Sequence, residues 1–119
     1  MDDEPDAREL ILRILSRCGA TVETASSGAD ALRSITKKKP HVLIMDIGMP
    51  LEDGFSVIKR IRQLTSEHGG DVPAIALTAF ARLEDRRRAI LSGFQMHMSK
   101  PVEPSELIAI VSSLGTRSR

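Results

Sequence analysis

His41-Val-Leu-Ile-Met-Asp-Ile-Gly-Met-Pro-Leu-Glu-Asp-Gly54 is the stretch that decides the fold of this 119-residue chain. Its apolar run, 42–45, ends on Asp46 and is bounded by turn signals, which is typical of a strand buried on both faces. The Gly, Pro and Asp residues that follow predict a loop. Because ligands of open α/β sheets bind at the carboxyl ends of the strands, Asp46 is a candidate for chemistry. A strand-end aspartate that only caps a turn is an equally good interpretation of this stretch alone.

Length and composition indicate one ordinary globular domain. A chain of 119 residues is long enough for one hydrophobic core but not for two. A net charge of +1 and an aromatic content of 3% argue against a polyanion binder or a base-stacking surface. Because no apolar run reaches the ~18 residues of a membrane span and no secretory signal is present, we expect a cytoplasmic protein with neither nucleic acid nor membrane as partner. The lone Cys18 is expected to be a small buried hydrophobic residue, with a reactive thiol as the alternative.

Hydrophobic periodicity predicts five helices alternating with four strands. Helices are predicted at 5–18, 55–64, 82–92 and 104–114, and strands at 21–25, 41–46, 72–78 and 95–98. Another helix, which carries Ala31, Leu32 and Ile35, is predicted between the loop 26–28 and the run 37–40 that ends it. Helices of this length between short strands are typical of a parallel sheet with helices on both faces. The arginines of the fourth helix are interpreted as a solvated face, with a partner-binding surface as the alternative. The chain begins on a helix, where an alternating fold normally begins on a strand.

Polar side chains are predicted to meet at one edge of this sheet. Asp46, Thr78 and Lys100 follow three successive strands, and right-handed crossovers bring the carboxyl ends of parallel strands to the same edge. Asp2 and Asp3 precede the first helix, where the end of an earlier strand would lie. Carboxylates with a backbone carbonyl suit Mg²⁺, and a carboxylate beside Mg²⁺ can attack phosphorus. An ammonium and a hydroxyl group would neutralise the charge of a transferring phosphoryl group.

Each of these residues also has a purely structural interpretation. Thr78 can bond its own backbone, and Lys100 can be a solvated surface lysine. His97 can be a half-buried strand residue, and Asp2 and Asp3 can interact with a helix dipole. Only their combination, at strand ends in this order, is specific.

That combination resembles the receiver domain of two-component response regulators over nearly the whole chain. The matching motifs are Asp2-Asp3-Glu4-Pro5, Asp46-Ile-Gly-Met-Pro50 with Asp53-Gly54, Leu77-Thr78-Ala79 and Ser99-Lys100-Pro101. The resemblance implies a flavodoxin-like α/β fold with helices on both faces of a parallel sheet, and a single receiver domain over 1–119.

The resemblance also implies a phosphorelay role. Asp46 would accept a phosphoryl group from the phosphohistidine of a histidine kinase or phosphotransfer protein, and Thr78 and Lys100 would hold the phosphoryl oxygens. Thr78 and His97 would be switch residues, with His97 standing where the family has an aromatic side chain. The conformational change is expected at 78–100.

A magnesium site is the next implication, together with one departure from the family. Asp3, Asp46 and the carbonyl of Gly48 would bind Mg²⁺ directly, with Asp2 reaching it through water. Receivers normally open with a hydrophobic strand before the acid pair, whereas only Met1 precedes it here. We therefore expect a receiver that is truncated at its N-terminus and lacks the central first strand. Besides truncation, two explanations stay open: a homo-oligomer in which another copy supplies a strand, and a sheet that closes by re-pairing its strands.

Three functions remain as hypotheses. The leading one is a phosphoacceptor switch, either a stand-alone regulator or the receiver of a hybrid histidine kinase, and not an enzyme in its own right. The second is a magnesium-dependent phosphohydrolase, which typically carries a second acid two residues after the nucleophile, where this chain has Gly48. The third is a structural interaction domain that keeps the fold without phosphorylation.

Overall fold

The computed structural model describes residues 5–19, 24–25, 27–38, 40–46, 54–78, 83–100 and 102–117. Five α-helices lie within these ranges: α1 (Pro5–Arg17), α2 (Gly28–Lys38), α3 (Gly54–Arg62), α4 (Leu83–Ser92) and α5 (Pro104–Arg117). The strands described are β1 (Leu43–Asp46), β2 (Ala74–Thr78) and β3 (Met96–Ser99), and a short 3₁₀ helix spans Ser66–His68.

The three described strands form a parallel sheet in the order β1-β2-β3. All five residues of β2 are buried, as expected for an apolar run with neighbours on both edges and helices on both faces. Pro73 lies just before β2, where its missing N–H removes no ladder bond. Its carbonyl still accepts a hydrogen bond of 2.8 Å from the backbone N–H of Leu43.

Helices cover both faces of this sheet, and the alternation of side chains along β2 divides the core in two. Ala74 and Ala76 point to the face covered by α2, α3 and α4, where their small side chains leave room for Ile58 and Phe94. The opposite face carries the core residues of α1 and α5, which are Leu15, Leu107 and Leu114, packed with Ile75, Leu77 and Met98. The buried alanines on one face of the sheet and the large aliphatic side chains on the other thus determine how closely each layer of helices packs against the sheet.

Arg62 forms hydrogen bonds at the amino edge of the sheet, where the strands begin. The Nε and Nη2 atoms of Arg62, the last residue of α3, donate to the carbonyl oxygen of Gly93 at 3.0 and 2.7 Å. Its Nη1 donates to the Gly70 carbonyl at 2.9 Å, and Nη2 also donates to Oε1 of Gln95 at 3.0 Å. The same Gln95 oxygen accepts the backbone N–H of Ala74 at 2.7 Å. This arrangement, the Arg62 clasp, joins the end of α3, the end of α4 and the starts of β2 and β3.

A glycine makes the clasp possible. Gly93 has φ of 124°, a backbone conformation that other residues rarely adopt. A Cβ atom at this position would also lie 3.0 Å from Cγ of Arg62. The glycine that the sequence marks as the end of α4 therefore also allows the close approach of the arginine.

The predicted order of helices and strands is confirmed for the described residues, within about two residues at most boundaries. The strand predicted at 21–25 falls mainly on residues outside those described, and Thr24 and Ala25 have irregular structure. The prediction of a buried Cys18 is wrong, because Cys18 is exposed. Helix α1 ends at Arg17, and Cys18 lies in a turn completed by Gly19 (φ 85°), outside the apolar stripe that packs on the sheet.

No helix in the described part of the chain combines the length and the apolar character needed to cross a membrane.

Candidate functional site

Asp46 ends β1 as a buried acid. The strand before it is apolar, with Met45 fully buried, so the backbone carries the carboxylate directly out of the hydrophobic core to the carboxyl edge. Only 5% of Asp46 is exposed. A charge in such a position is stable only if other groups compensate for the lost hydration.

Thr78 lies at the same edge, one residue beyond the point where β1 and β2 last pair. Asp46 is opposite Leu77 in the register, so Thr78 extends past it, and Thr78 is buried to the same degree as Asp46. The register of β3 places Ser99 opposite Thr78. The backbone N–H of Lys100 then donates to the Thr78 carbonyl at 2.7 Å, which fixes where the lysine side chain begins.

The compensating charge for Asp46 is the ammonium of Lys100. Its Nζ atom lies 2.6 Å from Oδ2 of Asp46. The strands that carry the two residues are not neighbours, and two inter-strand spacings amount to about 9.6 Å. The lysine side chain therefore crosses over the end of β2, above Thr78. Because only 7% of the aspartate side chain and 25% of the lysine side chain are exposed, water screens this ion pair weakly.

This geometry suits chemistry on a negatively charged group. A carboxylate oxygen can act as a nucleophile, and the ammonium and the nearby threonine can stabilise negative charge on an incoming group. The structure thus brings Asp46, Thr78 and Lys100 together at one edge, as the strand-end positions in the sequence predict.

His97 lies on the same face of the sheet as Thr78. It is opposite Ala76 in the register, and Ala76 and Thr78 point to the same face because they are two residues apart. Ala76 packs in the cluster that contains Ala89 of α4, so His97 lies on the α4 side. The residue is half-buried, and its Nε2 atom is shielded from solvent. This placement agrees with either predicted role, as a strand residue or as part of a switch.

Most of the predicted magnesium ligands, Asp2, Asp3 and Gly48, lie outside the described residues. Among the residues that are described, no cluster of three or more His, Cys, Asp or Glu side chains could hold a metal ion. The described member of the predicted set is Asp46, and its carboxylate is the type of hard oxygen donor that Mg²⁺ prefers. The donor chemistry therefore fits, and the complete site remains a prediction.

One contact near this edge was not predicted. The guanidinium carbon of Arg88 in α4 lies 4.2 Å from the centre of the Phe55 ring. Phe55 is the second residue of α3, the helix that follows β1 and Asp46 along the chain. Arg86, Arg87 and Arg88 are exposed, which agrees with a solvated face and with a partner-binding surface alike, and Arg88 has this additional role; Arg82 lies outside the described residues. The sequence signal that could have indicated this contact was a basic residue, Arg88, on a helix with few apolar residues to pack.

Comparison with known proteins decides the family. The model of the response regulator receiver domain matches residues 1–112. The chain belongs to the receiver domain family. This receiver domain is 45% identical over 111 residues to an uncharacterised 14.6 kDa protein of Leptolyngbya boryana, a match that covers 93% of the chain and 83% of the relative.

Longer relatives contain a similar segment as one part. The receiver domain is 36% identical over 114 residues to the transcriptional regulatory protein PrrA of Mycobacterium tuberculosis. That match covers 96% of the chain but 47% of PrrA, so the chain spans about half the length of this relative.

A solved structure confirms the fold. The receiver domain of the sensor histidine kinase PA1611 from Pseudomonas aeruginosa superimposes with a TM-score of 0.86 at 31% identity, over 98% of this chain and 93% of that one. In that structure a magnesium ion is coordinated in the active-site cleft. The flavodoxin-like arrangement, a parallel sheet with helices on both faces, is therefore the fold of this receiver domain.

Proposed function

We propose that this receiver domain is a phosphoacceptor switch of a two-component phosphorelay. In this proposal Asp46 takes a phosphoryl group from the phosphohistidine of a histidine kinase or phosphotransfer protein. The observation that supports it most directly is the buried ion pair between Asp46 and Lys100, which lies beside Thr78 at the carboxyl edge of the sheet. Membership of the receiver domain family supports the same reaction.

The transfer follows from the positions of these three side chains. A carboxylate oxygen of Asp46 attacks phosphorus, and a new oxygen–phosphorus bond forms while the phosphorus–nitrogen bond to the donor imidazole breaks. The imidazole leaves with the electron pair of that bond and takes up a proton. Lys100 is already 2.6 Å from the carboxylate, so its ammonium needs only a short movement to reach a phosphoryl oxygen. Thr78 offers its hydroxyl to another.

Asp46 would share a magnesium ion with Asp2, Asp3 and the carbonyl of Gly48. When bound, Mg²⁺ would neutralise part of the negative charge that collects on the phosphoryl oxygens. The magnesium ion in the PA1611 receiver supports this assignment by similarity. The contribution of Asp46 is a carboxylate already held in a fixed position at the edge of the sheet.

Phosphorylation would change this edge in a way that reaches α4. A phosphoryl group adds roughly −1.5 to −2 of charge and three acceptor oxygens. Thr78 and Lys100 would reorient towards it, and Thr78 ends the strand from which the chain continues to α4. His97 lies on the α4 side of β3, so the same helix is in reach of both predicted switch residues. We propose that a partner or an attached domain responds to this change at 78–100.

Phosphorylation by a small-molecule donor tests the proposal. The chain is incubated with acetyl phosphate and Mg²⁺, and its intact mass is followed for a gain of about 80 Da, the mass of an added HPO₃. The variant Asp46→Asn should gain nothing, whereas Asp6→Asn, which removes an exposed acid of α1, should gain the group as the wild type does.

The time course separates the three hypotheses. A single phosphoryl group on Asp46 that hydrolyses slowly supports the switch. Rapid multiple turnover of acetyl phosphate would favour the phosphohydrolase. A wild-type chain that never gains mass would favour a structural interaction domain and overturn the proposal.

A further inference from the structure

We propose that the contact between Arg88 and Phe55 is a latch that holds α4 in its resting position. Arg88 would then be a positioning residue that sets how readily phosphorylation of Asp46 shifts α4. The inference rests on the proposed function and adds to it a named element that opposes the switch.

Few of the described side chains of helix α4 pack into the core. Of its side chains that the structure describes, which are those of 86–92, Ala89 alone is buried. Ile90 is 51% exposed and Leu91 is 87% exposed, so the apolar residues of the second half of the helix stabilise it little. An element with so little buried apolar surface is one of the parts of a fold that moves at low cost.

The Arg88–Phe55 latch connects this weakly packed helix to a firmly packed one. Phe55 is 6% exposed, and the nearby α3 residues Val57 and Ile58 are fully buried. The ring is therefore fixed by the core while its face remains open to the guanidinium of Arg88, 4.2 Å away. A cation over an aromatic face at such a distance is stabilising, and the planar guanidinium is well suited to it.

The position of Phe55 relates the latch to the phosphorylation site. Phe55 is the second residue of α3, the helix that follows β1 and Asp46 along the chain, and α4 follows β2 and Thr78. The latch thus joins α3, which follows Asp46 in the chain, to α4, which follows Thr78. If phosphorylation shifts α4 away from its resting position, the contact must weaken in the shifted state. By linkage, its loss should then make the phosphorylated state easier to reach.

Beryllofluoride binding in the presence of Mg²⁺ measures this effect, because the ion imitates a phosphoryl group on aspartate. In Arg88→Ala the concentration for half-saturation, followed by amide NMR shifts, should fall roughly two- to fivefold, the range that an exposed cation–aromatic contact predicts. Arg87→Ala is the matched control, since it removes a neighbouring exposed arginine of the same helix. Arg88→Lys should recover part of the wild-type value, because an ammonium retains the charge but not the planar stacking.

A merely structural contact gives a different result. It would lower the free energy of unfolding of Arg88→Ala and leave the beryllofluoride affinity equal to that of Arg87→Ala, which would overturn the latch. A double-mutant cycle with Phe55→Leu provides the second check, because Arg88→Ala should have no further effect on affinity once the ring is absent. An undiminished effect in that background would show that Arg88 acts through another residue.

Failure of the latch and failure of the proposed function are distinguishable. A wild-type chain that neither binds beryllofluoride nor gains mass from acetyl phosphate refutes the phosphoacceptor role. Hydrogen exchange of the α4 amides then tests the latch alone. Faster exchange in Arg88→Ala than in Arg87→Ala that is confined to α4, with the β2 amides unchanged, supports it, and equal exchange or faster exchange in both elements overturns it.

Discussion

Lys100 and Asp46 form an ion pair with 2.6 Å between Nζ and Oδ2, although the strand between them separates their own strands. The lysine therefore keeps a cation over the carboxyl edge of the sheet before any phosphoryl group arrives. Its ammonium and the carboxylate compensate for each other's loss of hydration. In the proposed transfer, the same ammonium would be available to a phosphoryl oxygen once the carboxylate had reacted.

The variant Lys100→Ala should lose both the counter-charge to Asp46 and the cation that would bind a phosphoryl oxygen. Without this cation the buried carboxylate loses its counter-charge, and we expect the free energy of unfolding to fall by about 1–3 kcal/mol in urea denaturation. The rate of labelling by acetyl phosphate should fall on the order of a hundredfold, as for removal of one group that stabilises transition-state charge. In an Asp46→Asn background the same substitution should cost clearly less stability. An equal cost in both backgrounds would show that the pair is not coupled.

Amide NMR shifts should locate the conformational change. Adding beryllofluoride and Mg²⁺ should move the resonances of 78–100 more than those of α5, because Thr78 and His97 both lie on the α4 face of the sheet. Shifts confined to the neighbourhood of Asp46 would contradict the switch while leaving phosphorylation possible.

The variant Arg62→Ala should destabilise the fold. Burial lowers the pKa of the Arg62 guanidinium, and the nearby Asp71 carboxylate opposes this effect, so the charge is held in a partly dehydrated place by its hydrogen bonds. Their loss should reduce the free energy of unfolding by about 2–4 kcal/mol. Lys59→Ala, on the exposed side of the same helix, should change it by less than about 0.5 kcal/mol.

The second control for this position is Arg62→Lys. One ammonium cannot reproduce the planar set of donors that reaches Gly93, Gly70 and Gln95. The lysine variant should therefore remain closer to the alanine variant than to the wild type. Full recovery of stability by lysine would mean that charge alone matters here.

Acid should weaken the start of α5 through Glu103. The hydroxyl of Ser105 and the backbone N–H groups of Glu106 and Ser105 donate to its carboxylate, and they lower the pKa of Glu103 below its usual 4.5. A lowered folded-state pKa means that this stabilisation is complete above the unfolded-state pKa and disappears as the pH falls through the folded-state value.

Thermal unfolding of Glu103→Gln and wild type, compared from about pH 7 to about pH 3, measures this contribution. The wild type should have the higher midpoint near neutrality, and the difference should shrink as the pH decreases. Glu67→Gln, an exposed acid of the 3₁₀ helix, is the control and should show no such convergence. A constant difference at every pH would indicate that Glu103 acts through packing and not through its charge.

Much of this site could be predicted from local signals along the chain. Apolar runs that end on Asp46 and Thr78 indicate buried parallel strands, and parallel strands present their carboxyl ends at one edge. That rule predicts that Asp46, Thr78 and Lys100 lie close together. It does not predict that the lysine passes over β2 to reach Asp46, because this contact depends on the register of β3 and on a side-chain conformation.

The Arg62 clasp and the Arg88–Phe55 latch could not be predicted for a related reason. The contacts of Arg62 with Gly93 and Gln95, and that of Arg88 with Phe55, join residues more than thirty positions apart. Each arginine also fits the ordinary pattern of a solvated basic residue. The prediction that Cys18 is buried was wrong for the opposite reason, because here a local pattern was extended too far. The apolar pattern of α1 includes it by spacing, but the helix ends one residue earlier, and a single residue past a helix end no longer follows its periodicity.

The Arg62 clasp also determines the kind of motion that α4 can make. Because the carbonyl of Gly93 is held by two hydrogen bonds from the guanidinium, the helix cannot slide along its axis without breaking them. A pivot about its last turn, by contrast, would keep both hydrogen bonds. Over its 10 residues, which amount to roughly 15 Å, a tilt of about 10° would displace the first turn by roughly 2.5 Å and the last hardly at all. The amplitude of any signal passed to α4 would thus grow with distance from Gly93 and be greatest at Leu83.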